Sequence, residues 1–287
     1  MKMKRLIVSA CVLSMLACKK SKNDEVSPSV INDNNTASVT TVPDSSTTNN
    51  FSRLYAKMYN CTSIDTSGSI NVIFKTNCIP DHKSPFFDST SSQYESYNGD
   101  NPNFSTTINL KGTISDPDLM SKSVTFTIPR YPNKTSSHSS TTGGPIGIAR
   151  NAVVFYNQYN GAGALLDELE INNADQYLGH PTPSFAGGQY HYHYEPTYLT
   201  AKFSKSGFMG FLLDGYPVYG PMENGLHVTT SMLDEYNGHI SATVDYPNDK
   251  IYHYHTIGAT SSIPSALKLA APWINGGKYY GKKGTAN

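Results

Sequence analysis

Two tyrosine–histidine alternations hold the residues best suited to chemistry in this chain: "QYHYHY" at 189–194 and "IYHYH" at 251–255. Together they take four of its nine histidines. Along a strand, successive side chains point to opposite faces, so His191 and His193 share one face while Tyr190, Tyr192 and Tyr194 share the other. His253 and His255 stand the same way against Tyr252 and Tyr254. Imidazoles at i and i+2 sit about 6–7 Å apart at Cα, close enough for both rings to reach one ion. Histidine is also the commonest metal ligand.

Each alternation is preceded by a D-x-Y-x-G-H block, "DQYLGH" at 175–180 and "DEYNGH" at 234–239. Each block supplies a third histidine. The candidate ligand sets are therefore His180, His191 and His193, and His239, His253 and His255. Asp175 and Asp234 are expected to orient these histidines or to ligate, because metal-bound histidine usually gives its other N–H to a carboxylate or carbonyl. Three histidines with an open position suit zinc, and imidazole suits copper equally well. The expected cofactor is thus a transition metal, zinc or copper. It would serve a metal carrier or an enzyme in which the ion lowers the pKa of bound water or cycles its redox state. The alternative is a non-enzymatic binding module. There the histidines are structural, and exposed tyrosines and Asn/Asp loops grip a glycan or a protein.

Glu168, Glu195 and Glu235 lie near the motifs and are read as solvated surface groups, as are His82, His138 and His227 in their loop contexts. Ser184 and Ser241 follow the D-x-Y-x-G-H blocks without the setting of a nucleophile.

The blocks belong to a longer internal similarity. Residues 147–157, "GIARNAVVFYN", align with 210–220, "GFLLDGYPVYG". The three aligned starts, 147→210, 175→234 and 189→251, lie 63, 59 and 62 residues apart. This predicts two copies of one supersecondary unit, at about 147–199 and 210–260, packed about a pseudo-two-fold axis. Asn151 and Asp214 fall at matching positions and are expected to shape the pocket. If the units face each other, the histidine sets line one cleft that holds two ions or shares one.

The elements that must position these residues read as β-rich. "INVIF" (70–74), "STTINLKGTI" (105–114) and "KSVTFTIP" (122–129) carry β-branched alternation between turn residues, and "GIARNAVVFYNQYN" returns to strand. Short helices are expected at "GALLDELEI" (163–171) and at "IPSALKLA" (263–270). "GYPVYGP" (215–221) reads as a turn with buried tyrosines. The expected fold is mainly β (β-rich α+β), a single compact domain over 51–287 with an internal tandem repeat in its C-terminal half.

The chain opens "MKMKRLIVSACVLSMLAC", a basic start, a short apolar run and Cys18 after Ala17. This reads as a bacterial lipoprotein signal over 1–17, with Cys18 carrying the lipid that anchors the chain to the bilayer. Residues 18–50 are rich in Ser, Thr and Asn and read as a flexible tether. The expected location is the cell envelope, on the outer membrane and facing either periplasm or surface. Lys plus Arg and Asp plus Glu each number 22, giving zero formal charge. With no basic patch there is no electrostatic footprint for nucleic acid. A small-molecule or glycan ligand is compatible with this composition, and no partner protein is identifiable. Beyond Cys11 and Cys18 only Cys61 and Cys78 remain. In an oxidising compartment a disulfide is their expected state, with two free thiols as the alternative.

Taken together, "GQYHYH", "LLDGYPVYG", "LDEYNGH", "YHYH" and "PWINGGKYYG" (272–281) resemble the YHYH domain family, over about residues 120–281. The resemblance implies an exported protein, often a bacterial lipoprotein, and brings no activity with it. Family members tend to carry cysteine inside the D-x-C-x-G-H blocks and near the closing aromatic segment. Here Tyr177 and Tyr236 stand at those block positions, and "INGGKYYG" has no cysteine. Packing must then supply the rigidity that disulfides give elsewhere.

Overall fold

The computed structural model describes residues 49–105, 119–257 and 273–287. The expected signal and Cys18, nearly all of the tether, most of the 105–114 strand and the 263–270 helix lie outside the described residues. The described chain is mainly β. Its strands are β1 (Ser63–Asp65), β2 (Asn71–Thr76), β3 (Val124–Pro129), β4 (Gly147–Ala149), β5 (Val154–Phe155), β6 (Gly179–Pro181) and β7 (Tyr190–Tyr192). Then follow β8 (Phe208–Leu212), β9 (Pro217–Tyr219), β10 (Met222–Glu223), β11 (Leu226–His227), β12 (Gly238–Ser241), β13 (Ile251–His255) and β14 (Thr285–Ala286). Helices are short: α1 (Ser52–Tyr55), α2 (Glu168–Ile171) and α3 (Thr197–Phe203). No helix among the described residues is long and apolar enough to cross a membrane.

β1, β2, β3 and β14 form a four-stranded antiparallel sheet in that order. Residues alternate between buried and less buried positions along β2 and β3, as expected of strands with one face on a core. The buried face carries Val72, Phe74, Phe126 and Ile128. Phe74 stacks on Phe211 of β8 at 5.9 Å, joining this sheet to the second one.

The second sheet has eight strands in the order β12-β13-β9-β8-β4-β5-β7-β6. Its outermost pairs, β12–β13 and β6–β7, are antiparallel, and the next pairs, β13–β9 and β7–β5, are parallel. The inner pairs β9–β8 and β5–β4 and the central pair β8–β4 are antiparallel again. The sequence of pairings therefore reads the same from either edge. At the centre Ile148 faces Phe211, with Gly147 opposite Leu212 and Ala149 opposite Gly210. Every residue of β8 and β13 is buried, so these strands are apolar or aromatic on both faces.

The expected strand over "GIARNAVVFYNQYN" is broken in two, because Ala152 takes a positive φ of 65° between β4 and β5. The helix expected over 163–171 shrinks to four residues, capped by the Asp167 carboxylate accepting from Glu170 N–H at 3.0 Å. α3 was not foreseen, since its "TYLTAKF" lacks a clear 3.6-residue apolar period.

The expected Cys61–Cys78 disulfide is absent, and both residues are free thiols. Cys78 is buried at a positive φ of 61°, and its sulfur accepts from the Gln189 side-chain amide at 3.2 Å. Burial pushes the Cys78 thiol up to about 11 and the half-buried Cys61 thiol up to about 12.

Asp214 is fully buried after β8. Its Oδ2 accepts from the Tyr254 hydroxyl at 2.6 Å and from Gly281 N–H at 2.9 Å. Burial lifts its pKa from 3.8 to about 6. A folded-state pKa above the unfolded one contributes stability that is complete below pH 3.8 and is lost as pH rises through about 6. The stability of the natural chain relative to Asp214→Asn should thus fall by up to about 3 kcal/mol across that window. Urea unfolding of both proteins at pH 4 and pH 7 measures this, and a flat difference contradicts it.

Candidate metal centres

The D-x-Y-x-G-H block folds as a turn held by its own aspartate. Asp175 Oδ1 accepts from Tyr177 N–H at 2.8 Å and Gly179 N–H at 3.4 Å, and Asp234 Oδ1 from Tyr236 and Gly238 N–H at 2.9 and 3.1 Å. The fourth residue, Leu178 or Asn237, takes a positive φ of 60° or 65°. Glycine follows because a Cβ there would lie 2.4 Å from the Tyr190 hydroxyl or 2.2 Å from that of Tyr252. Each hydroxyl passes the glycine to reach the aspartate: Tyr190 Oη to Asp175 Oδ2 at 2.7 Å, Tyr252 Oη to Asp234 Oδ2 at 3.0 Å. The turn then delivers its histidine directly opposite the first histidine of the alternation, His180 facing His191 and His239 facing His253.

The second tyrosines are gripped as well. Tyr192 Oη lies 3.2 Å from Asn151 Nδ2 and 3.0 Å from His82 Nε2, and Tyr254 meets Asp214. Asp175, Asp234, Asn151 and Asp214 therefore bind tyrosines and main chain. Asp175 and Asp234, expected to orient the histidines or to ligate, and Asn151 and Asp214, expected to shape the pocket, thus make their bonds on the tyrosine face, which strand alternation sets opposite the histidines.

The histidine faces form two groups. In centre 1, His180, His191 and His193 each place a ring nitrogen within 4.8 Å of the others. His191 Nδ1 lies 2.9 Å from Gln189 O, and His193 Nδ1 is bonded to Asn157 O. In centre 2, His253 Nδ1 lies 3.0 Å from Ile251 O and His255 Nδ1 2.7 Å from Gly220 O. A carbonyl can only accept, so all four Nδ1 atoms carry the proton. Burial drives His180 and His191 well below the ordinary histidine range. It also lowers His193 to about 4 and, with His253 nearby, His255 to about 3. His180, His191, His193 and His255 are therefore neutral near pH 7, and His191, His193 and His255, bonded through Nδ1, each keep a lone pair on Nε2.

The Nε2 atoms of each alternation approach one another closely. His191 Nε2 is 2.9 Å from His193 Nε2, and His253 Nε2 is 2.9 Å from His255 Nε2. His239 Nε2 lies 3.2 Å from His255 Nε2, and its ring also bonds the Met232 main chain. In centre 1 the buried His180 Nδ1 has no hydrogen-bond partner. Metal–nitrogen bonds of about 2.0–2.1 Å subtend these gaps at roughly 90–100°, a normal angle between neighbouring ligands. The close Nε2 pairs therefore suit neighbouring ligands of one ion, and each histidine group could hold a metal ion.

Centre 2 holds a fourth donor that sequence reasoning missed. Glu223 Oε1 lies 3.4 Å from His239 Nε2 and His253 Nε2 and 4.0 Å from His255 Nε2. Burial alone would raise its carboxyl, but hydrogen bonds from His253 and Ser241, with the charges of His239 and His253, hold it down to about 2. Ser241 Oγ donates to the same oxygen. Glu223 comes from the β10–β11 hairpin, outside the eight-stranded sheet, and the aligned position in the first half is Asn160. No repeat signal marks it.

The two centres do not share a cleft. β7 and β13 lie five strand steps apart, about 24 Å at the usual strand spacing. The remaining assignments divide. Glu168, Glu235 and His227 are exposed as expected. Glu195 is buried and bonded to Thr200 Oγ1 at 2.6 Å. His82 is buried and packs on Tyr177 at 4.4 Å, and half-buried His138 stacks on Tyr236 at 4.5 Å. Aromatic packing thus holds both blocks where cysteine was expected from the resemblance. The tyrosines of both alternations are buried, so they offer no exposed gripping surface.

A mixed sheet with a histidine group near each edge defines a mainly β chain with two candidate metal centres. Residues 125–229 match the family model described as YHYH protein. The match takes in all of centre 1 and Glu223 but ends before His239, His253 and His255. No curated protein and no solved structure matches the chain.

The two tyrosine–aspartate links differ in burial, because Asp175 is buried and Asp234 is exposed. Tyr190→Phe should destabilise the fold by about 1–3 kcal/mol by stripping a donor from a buried carboxylate. Tyr252→Phe should lose less, because water can replace the missing hydroxyl. Urea midpoints of the two variants test this order.

Proposed function

We propose that this chain is an exported, lipid-anchored protein of the cell envelope that holds two transition metal ions, one near each edge of its long sheet, as a metalloenzyme or metal carrier. The observation that carries the metal reading is the approach of two Nε2 atoms to 2.9 Å in each centre, on rings whose Nδ1 atoms are all bonded to main-chain carbonyls. In centre 1 the facing lone pairs repel, and burial makes a proton shared between the rings unfavourable. A cation between them removes the repulsion. The matching positions of the two centres also support the duplication read in the sequence as their common origin. The leader ending in Cys18 supports export and lipid anchoring.

The donor sets favour different ions. Centre 1 offers three neutral imidazoles, and a buried divalent charge there meets no carboxylate. It suits singly charged copper. Centre 2 adds the Glu223 carboxylate and suits a divalent ion, zinc or copper(II).

The test is metal analysis of the protein purified without an affinity tag, after zinc or copper supplementation. We expect two ions per chain. His191→Ala with His193→Ala should lose one, and His253→Ala with His255→Ala the other, each leaving its companion in place. A chain that binds no ion under either supplement overturns the reading.

A further inference from the structure

We propose that an ion at centre 2 keeps a coordination position facing an adjoining cavity, and takes there a small oxygen- or nitrogen-donor ligand that is neutral or singly negative. This rests on the metal reading above. A cavity of about 230 Å³ adjoins the centre, and His253, His255 and Glu223 form part of its wall. His253 and His255 of β13 and Glu223 of the β10–β11 hairpin thus border the cavity, while His239 of β12 is outside its wall. The His239 side chain is 17% exposed and that of Glu223 10%, whereas His253 and His255 are buried.

The wall chemistry sets the ligand class. Apart from the metal donors, the cavity is lined by uncharged side chains, among them Met222, Thr243, Val244 and Pro247. No lysine or arginine contributes. A divalent ion with one carboxylate and three neutral imidazoles carries one net positive charge. One negative charge on the ligand balances it, and a second would be buried without a partner. The apolar part of the wall accepts a small body behind the donor atom. By proportion to a cavity of about 150 Å³ that holds benzene, the ligand has on the order of nine non-hydrogen atoms.

The probes are Co²⁺ and azide. His191→Ala with His193→Ala isolates centre 2, and Co²⁺ there gives visible absorption that reports its ligands. We expect azide to shift these bands saturably. Val244→Trp, at an exposed rim position, should leave Co²⁺ stoichiometry unchanged and weaken azide binding at least tenfold. If the double variant fails to fold, the same titration on the full chain with and without Val244→Trp reads the centre 2 response as the difference. Bound Co²⁺ whose bands ignore azide, or an azide affinity untouched by Val244→Trp, overturns this inference alone. Failure to bind Co²⁺ at all removes the metal reading beneath it.

Discussion

The structure depends on how four histidines use their protons. His191 and His253 give Nδ1–H to the carbonyl two residues back on their own strand, Gln189 and Ile251. His193 and His255 give theirs to Asn157 and Gly220, which follow the parallel neighbours β5 and β9. Those donors and acceptors lie at aligned positions in the two halves, so the geometry is imposed twice by the same main chain. Once Nδ1 is committed to a carbonyl, Nε2 is the nitrogen left for another partner, and strand alternation aims it at its neighbour. The close Nε2 pairs therefore follow from backbone hydrogen bonding.

The tyrosines are the other half of that constraint. A strand that places histidines on one face must do something with the opposite face, and here it is buried. Tyr190, Tyr192, Tyr252 and Tyr254 bring hydroxyls into that interior, and each finds a polar partner: Asp175, Asn151, Asp234 or Asp214. Those contacts fix the strands against rotation and slippage. A one-residue slip would exchange the faces, moving the histidines into the tyrosine network and the hydroxyls into the centres. The Y-H-Y-H pattern works as a register lock as well as a ligand source.

Much of this was legible in the sequence for a local reason. The i, i+2 placement of His191 with His193 depends only on strand alternation, and the D-x-Y-x-G-H turn is closed by hydrogen bonds within five residues. What was not legible is non-local. The separation of the centres follows from strand order, which is set by the parallel β5–β7 and β9–β13 pairings and by the central β4–β8 contact. Glu223 arrives from a hairpin with no counterpart in the other half. The burial of His82 depends on packing against Tyr177, about 95 positions away. Asp175 and Asp234 lie close in sequence to the histidines yet bind Tyr190 and Tyr252, because the alternation that separates the two faces decides their partners.

The two halves share a scaffold yet differ in charge, and the differences fall on opposite faces. On the tyrosine face, the position that is Asn151 in one half is Asp214 in the other. The amide suits its place because Asn151 also donates to Asp81 at 3.0 Å, which an acid could not do without a proton. The acid suits the other because Asp214 gathers donors from Tyr254, Tyr216 and Gly281. On the histidine face, centre 2 has Glu223 where centre 1 has no carboxylate among its donors. The first difference is an exchange at one strand end that keeps the pairing, whereas the second is an added hairpin that brings its charge from outside the sheet. A backbone that fixes ring positions so firmly leaves charge as the property free to vary between the two ends.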